Sequence, residues 1–80
     1  MDLKEWLTKT VEHLTSSTDF EITEDVMVEY ISYTINIPSK TAGRIIGRHG
    51  GTINALRTLA FAMGIHHFQT KVKVTVEAQV

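Results

Sequence analysis

A short glycine-bounded turn, Gly47-Arg48-His49-Gly50, interrupts a helical pattern and constrains the fold of this chain more than any other feature. Apolar residues before the turn are spaced as a short helix over residues 39–46 would place them, and a second helical stripe begins near Thr52. Glycine lacks a Cβ atom, so these glycines let the backbone turn sharply and approach a ligand closely. The pattern predicts two consecutive helices that meet at a tight turn.

A first helix is predicted over residues 2–15. Its apolar stripe consists of Leu3, Leu7, Val11 and Leu14. Asp2 is placed to cap the helix N-terminus, with Glu5 three residues later in a capping-box pattern. The run of hydroxyl residues at 15–18 favours local side-chain to backbone hydrogen bonds and should end the helix.

Two antiparallel strands are predicted next, over residues 20–23 and 26–37, with a turn at Glu24-Asp25. The residues of the second strand that should face the core are Ile31, Tyr33, Ile35 and Ile37, with Ser32, Thr34 and Asn36 facing away. Val28 and Tyr30 fall on the wrong face of that alternation. Either a bulge near Glu29 resets the register or both side chains cover a partner.

The remaining pattern completes an α-β-β-α-α-β order. Pro38 ends the second strand and Ser39 is placed to cap the next helix. The helix after the turn should bury Ile53, Leu56, Leu59, Ala60 and Met63, with Gly64 as its C-terminal cap. Residues 68–77 alternate as a half-buried strand with Val72, Val74 and Val76 inward and Lys71, Lys73 and Thr75 outward. We expect one small α+β domain over residues 1–80, with a core from about 20 to 77 and helices on one face of a three-stranded sheet.

Charge is divided unevenly along the chain, although the formal net charge is only -1. Residues 1–39 hold two lysines against eight acids, whereas residues 40–76 hold six Lys and Arg and no acid. A nearly neutral domain can therefore present one positive face that binds phosphates. The chain has no cysteine, which excludes disulfides and agrees with a cytoplasmic location, and its longest apolar run is too short to span a membrane.

The glycine turn is the candidate functional site. The free N–H groups that open the following helix favour an anion, Arg44, Arg48 and Arg57 supply positive charge, and Ile45 or Ile46 can form an apolar wall beside the turn. The spacing fits neither a P-loop nor a dinucleotide fingerprint, because the turn follows a helix and lacks both glycine patterns. A purely structural helix connection is the alternative, although it gives no reason for the Arg-His pair.

Residues 45–57, Ile-Ile-Gly-Arg-His-Gly-Gly-Thr-Ile-Asn-Ala-Leu-Arg, resemble the I-G-x-x-G-x-x-I core of KH domains, and the element order resembles the type II arrangement. The whole chain is similar to the small bacterial single-KH proteins of the KhpA (YlqC-like) group. This resemblance implies that residues 47–50 clamp the backbone of about four single-stranded RNA nucleotides and that Ile46 belongs to an adjacent groove for the bases. It also implies partnership with a larger Jag-like KH protein, self-association, and a role as an RNA chaperone or post-transcriptional regulator.

The glycine turn and the basic second half of the chain favour a binding protein without an enzymatic activity, cofactor, metal or catalytic residue. The residues expected to bind nucleic acid are Arg44, Ile45, Ile46, Gly47, Arg48, His49, Gly50, Gly51 and Arg57. The alternative is a protein-interaction module that docks a partner through Tyr30, Phe61 or the acidic first helix. His66-His67 could suggest a metal site, but two adjacent residues without a cysteine are more typical of a solvated turn.

Overall fold

The structure is a computed structural model that describes residues 2–79. Its elements are α1 (Leu3–Thr15), β1 (Glu21–Val26), β2 (Tyr30–Pro38), α2 (Ser39–Ile46), α3 (Gly51–Met63) and β3 (Lys71–Gln79). A single 3-10 turn, Arg48–Gly50, joins α2 to α3, and a π-helical turn, Gly64–Phe68, follows α3. The predicted α+β class and element order are confirmed. Among the described residues, no helix is long and apolar enough to cross a bilayer.

The three strands form one mixed sheet in the order β1-β2-β3, in which β1 and β2 are antiparallel and β2 and β3 are parallel. The parallel pair follows from the two helices that intervene, because a parallel connection needs a long crossover. The sheet residues buried under the helices include Ile22, Tyr33, Ile35, Ile37, Val72 and Val74. The side chains of alternate residues point away from the helices, so one face of the sheet is left to solvent.

Helix α1 packs on this core through every fourth residue. The Asp2 carboxylate accepts a hydrogen bond from the Glu5 N–H at 2.7 Å, which confirms the predicted cap. Leu14 was expected in the core but is 37% exposed, whereas Thr15 is 1% exposed. The steps of four from Leu3 continue to Thr15, whose hydroxyl can be buried because it donates to the Val11 carbonyl at 2.9 Å.

The β1–β2 turn lies three residues later than predicted, at residues 27–29. Glu24 and Asp25 extend β1 instead of turning, since Glu24 pairs with Tyr33 and accepts its hydroxyl hydrogen bond at 2.6 Å. The Met27 N–H donates to the Tyr30 carbonyl at 2.8 Å and closes the hairpin. Val28 therefore belongs to the turn, where it is fully exposed, and neither a bulge nor a partner is needed to explain its register.

Two smaller predictions about the helices were wrong. Ser39 is the first residue of α2 and not its cap, because Pro38 occupies the cap position without a side-chain hydrogen bond. Leu59 is 55% exposed, since the core-facing stripe of α3 passes through Ile53, Leu56 and Ala60. Gly64 is the C-terminal cap of α3, as predicted, but it keeps a right-handed helical conformation and is buried against Val72. The left-handed residue is Gln69, which ends the π-helical turn. The last strand accordingly starts at Lys71, not at Phe68.

Candidate nucleic-acid interface

The turn between α2 and α3 is open to solvent. The backbone is left-handed at Gly47 (φ 74°), His49 (φ 56°) and Gly50 (φ 75°). These three conformations redirect the chain from one helix to the next within a few residues. The side chains of Arg48 and His49 are exposed, and both glycines are half-buried. The turn can therefore offer both its backbone and two basic side chains to a ligand.

The two glycines are required for different reasons. A Cβ atom on Gly47 would lie 2.3 Å from the Thr52 Oγ1 atom and 2.7 Å from the Thr52 Cβ atom, so the turn packs directly against the first turn of α3. A Cβ atom on Gly50 would meet only the Asn54 Nδ2 atom, at 3.7 Å. Gly47 thus combines close packing with a left-handed backbone, whereas Gly50 is needed for its backbone conformation alone.

Helix α3 starts at this turn, and no side chain of the described part of the chain caps its N-terminus. The first N–H groups of a helix lack intrahelical acceptors and carry the positive end of its dipole. Because Arg48 and His49 project beside them, the exposed end of α3 is suited to a phosphate group. Within residues 2–79, neither of these two side chains takes part in a hydrogen bond or salt bridge.

A groove lies between α3 and β3. It has a volume of about 470 Å³ and is lined by Arg57, Thr58, Phe61, Val72, Lys73, Val74 and Thr75. β3 is the edge strand of the sheet on this side. The groove therefore combines apolar side chains, two basic groups and the backbone of an open strand edge.

Arg57 connects α3 to that open edge. Its Nε atom donates to the Val74 carbonyl at 2.9 Å, and its Nη1 atom donates to the Asn54 Oδ1 atom at 3.4 Å. These bonds hold the guanidinium in one plane, while the remaining Nη protons stay free for a ligand. One stripe of α3 leads from the turn into the groove. It consists of residues at steps of four, three and four, namely Gly50, Asn54, Arg57 and Phe61.

A second concavity of about 510 Å³ lies at the other end of the sheet. It is lined by Asp19, Phe20, Glu21, Asn36, Pro38 and Gln79. Two of these residues are acidic and none is basic, so this concavity does not suit a polyanion. The α3–β3 groove is the better candidate for a nucleic-acid partner although it is slightly smaller.

The structure places the predicted site residues in four different surroundings. Gly47, Arg48, His49, Gly50 and the helix-starting Gly51 lie together at the turn, and Ile46 is 39% exposed beside them. Ile45 has no exposed surface, so its assignment to the binding wall is corrected: it packs in the core. The Arg44 Nη1 atom donates to the Thr15 carbonyl at 2.9 Å, so Arg44 ties α2 to the end of α1. Arg57 lies in the groove.

The sequence patterns missed most of the groove wall. Phe61 was expected at a protein interface, and the β3 residues Val72, Lys73, Val74 and Thr75 were assigned only to the two faces of a strand. At a sheet edge, residues of both faces line the same depression, which alternation alone cannot reveal. The one sequence feature that pointed to them was the basic composition of residues 40–76, which contain no acid. His66 and His67 are exposed in the π-helical turn, and no cluster of three potential metal ligands occurs within residues 2–79.

A family model described as "KhpA/KhpB, KH domain" matches residues 4–76. The chain belongs to this family. Its α-β-β-α-α-β order with a mixed three-stranded sheet agrees with a type II KH fold. The glycine turn at residues 47–50, called the GxxG turn below, lies within the matched range.

Curated relatives in the KhpA family support the same assignment. The chain is similar to the protein named "RNA-binding protein KhpA" from Streptococcus pneumoniae serotype 4 (strain ATCC BAA-334 / TIGR4), with 33% identity over 46 residues. The protein of the same name from serotype 2 (strain D39 / NCTC 7466) matches equally, at 33% over 46 residues. The match covers 58% of this chain and spans 58% of the length of each relative.

Proposed function

We propose that this chain binds single-stranded RNA, with the GxxG turn holding the sugar-phosphate backbone and the α3–β3 groove receiving the bases. The observation that carries the proposal is the continuity between the two, because one stripe of α3 leads from Gly50 through Asn54 and Arg57 to Phe61. The names of the two curated relatives, both RNA-binding proteins, support it.

The length of the stripe suits a short segment of RNA. From Gly51 to Phe61 the helix rises roughly 15 Å at about 1.5 Å per residue. A GxxG turn in KH domains holds about four nucleotides, which is a segment of this size. Apolar contacts at Phe61, Val72 and Val74 do not depend on the identity of a base. We therefore expect modest affinity with little sequence preference, as an RNA chaperone or post-transcriptional regulator requires.

Substitution of Arg48 and His49 together by aspartate tests the clamp. The double variant should lose RNA retention, because two carboxylates then face the phosphates and the α3 N-terminus. Circular dichroism and the melting temperature should remain nearly unchanged, since both side chains are exposed and have no hydrogen-bond or salt-bridge partner among residues 2–79. Binding is measured by fluorescence anisotropy with a labelled single-stranded oligonucleotide.

The matched control replaces a lysine and a histidine elsewhere. Lys4→Asp with His13→Asp changes the same kinds of charge on the exposed surface of α1. This control should bind RNA nearly as well as the wild type, because α1 does not contribute to the groove lining. If the turn variant binds as well as the wild type, or the control loses binding equally, the clamp assignment is wrong.

A second candidate function is a protein-interaction module that forms a homodimer or a heterodimer with a larger Jag-like KH protein. Exposed apolar side chains at the β1–β2 turn favour it, namely Val26, Met27 and Val28. Light scattering after nuclease treatment distinguishes the two functions. A complex that survives both nuclease and the Arg48/His49 substitution would make docking the principal role. A monomer that binds RNA would exclude the homodimer, and a mixture with the larger Jag-like protein that forms no complex would exclude the heterodimer.

A further inference from the structure

Tyr30 lies outside the groove, on the face of the sheet that the helices leave uncovered. It is half-buried at the first position of β2, and the Lys73 Nζ atom sits 4.4 Å from the centroid of its ring. Lys71 is its register partner on β3. An aromatic ring flanked by two lysines is a combination that binds unpaired nucleotides, since the ring stacks on a base and the lysines attract its phosphates.

Lys73 also belongs to the groove, so the two surfaces are continuous. It lines the groove together with Val72 and Val74, and it lies over Tyr30 on the neighbouring strand. Neighbouring strands are about 4.8 Å apart, which places the ring within one strand spacing of β3. An RNA strand that leaves the groove over the edge of β3 therefore reaches Tyr30 without crossing other structure.

The charges of the uncovered face define where such a path ends. Near Tyr30, Lys71 and Lys73 lie on the β3 side, whereas Asp25 lies on β1 at the opposite edge. Glu21 and Glu77 lie at the far end of the sheet, where both are opposite Asn36. In one row across the sheet, Asp25 pairs with Ser32 and Ser32 pairs with Lys73. A phosphate backbone is attracted to the β3 side and repelled by the β1 side, so the path should stop at β2.

We propose that Tyr30 is a stacking platform for one base beyond the groove, with Lys71 and Lys73 beside the phosphates of that nucleotide. This inference rests on the proposed RNA binding and adds a nucleotide site outside the GxxG turn and its groove. Lys73 leaves the face of the ring when the base arrives, because stacking of a base on an aromatic ring outweighs an exposed contact between a lysine and the ring.

The test compares two lengths of oligouridine on three proteins. Wild type, Tyr30→Phe and Tyr30→Val are titrated with a strand of four nucleotides, which the groove alone accommodates, and with one of about eight. Tyr30→Val should bind the longer strand roughly tenfold more weakly than the wild type and the shorter strand equally well. Tyr30→Phe keeps the ring and should match the wild type on both.

The controls separate failure of this inference from failure of the proposed function. Arg48→Asp with His49→Asp should lose both strands, and if it binds the shorter strand normally, the clamp itself is wrong. If the clamp variant behaves as expected but Tyr30→Val binds the longer strand as the wild type does, the platform is excluded. In that case the lysine contact to the ring is structural only, or the face serves a protein partner.

Photocrosslinking tests the same inference without a substitution. A strand of about eight nucleotides that carries 4-thiouridine at its ends is irradiated with the wild-type protein, and the modified peptides are identified by mass spectrometry. Crosslinks at Tyr30 or Lys71 support the platform. Crosslinks confined to residues 47–61 would overturn it.

Discussion

Gly47 and Gly50 have nearly the same φ angle, 74° and 75°, yet they are required for different reasons. Gly47 fits against Thr52 and leaves no room for a methyl group, whereas Gly50 faces open space toward Asn54. The motif alone presents both glycines as equivalent. The structure distinguishes them by the packing of Gly47 on α3 and by the ψ angle, which is -179° at Gly47 and 11° at Gly50.

Alanine substitutions should therefore separate the glycines by stability. Gly50→Ala should lower the free energy of unfolding by about 1–2 kcal/mol, the cost of a left-handed backbone with a Cβ atom. Gly47→Ala should lower it by about 3 kcal/mol or more, because overlap with Thr52 is added to that cost. Gly43→Ala is the control: this glycine lies within α2 with nothing near its missing Cβ atom, so alanine should stabilise by about 0.5–1 kcal/mol. Urea denaturation measures all three, and equal effects at Gly47 and Gly50 would contradict the packing argument.

Arg44 and Arg57 were both predicted to bind nucleic acid, and the structure places them differently. Arg44→Ala should lower the free energy of unfolding by about 1 kcal/mol, because it removes the hydrogen bond to the Thr15 carbonyl, and should change RNA affinity by less than about twofold. Arg57→Ala should weaken RNA binding severalfold, since it removes a guanidinium from the groove. Chemical denaturation and anisotropy titrations of both variants check this contrast. Equal loss of RNA affinity in the two would place Arg44 in the interface after all.

The β1–β2 hairpin depends on a polar pair that no sequence pattern indicated. Tyr33 and Glu24 are opposite one another, and the tyrosine hydroxyl donates to the Glu24 Oε2 atom at 2.6 Å. Burial raises the pKa of Tyr33 well above its ordinary value, and the hydrogen bond and negative charge of Glu24 raise that pKa further. The pair explains why two consecutive acids, which usually favour a turn, lie within a strand here.

This shift predicts a loss of stability in alkaline solution. The pKa of Tyr33 is higher in the folded protein than in the unfolded chain, where a tyrosine titrates near pH 10, so the folded protein binds more protons above about pH 10. The stability that the protonated Tyr33 hydroxyl contributes is fully present below about pH 10 and is lost as the pH rises through the pKa of Tyr33 in the folded protein. Wild type should therefore lose stability relative to Tyr33→Phe between about pH 9.5 and 11, as measured by urea denaturation at each pH. If the free energy of unfolding changes with pH in the same way for both proteins, the raised pKa of Tyr33 is contradicted.

Most elements could be predicted because their local patterns agree with their packing. The stripe of α1, the alternation of β2 and the glycine turn each have one dominant period or one conformational need. The local patterns could not predict the burial of three helix residues, Leu14, Ile45 and Leu59. A helix position near the edge of an apolar stripe becomes buried or exposed only when neighbouring elements pack beside it. The groove was missed for a related reason: it exists only because β3 lies beside α3, and pairing between distant strands leaves no mark on local spacing.

For the whole molecule, the uneven charge distribution along the chain becomes a distribution in space. The sheet order β1-β2-β3 follows the order of the chain, so the acidic first half contributes one edge of the sheet and the basic second half the other. Lys71 and Lys73 thus share a side with the groove, and Glu21 and Asp25 lie opposite. A formal net charge of -1 conceals this separation, which is the physical reason that a nearly neutral domain can present a surface for a polyanion.

The hydrogen bond from Arg57 to the Val74 carbonyl also opposes strand pairing between two copies of the protein. An unguarded outer strand invites an identical molecule to add to the sheet, which is a common start of aggregation. Here a guanidinium already occupies that carbonyl, and Lys71 and Lys73 would repel a second copy of the same strand. The other main-chain groups of β3 can thus remain accessible to an anionic ligand, while pairing with a second copy of β3 is disfavoured.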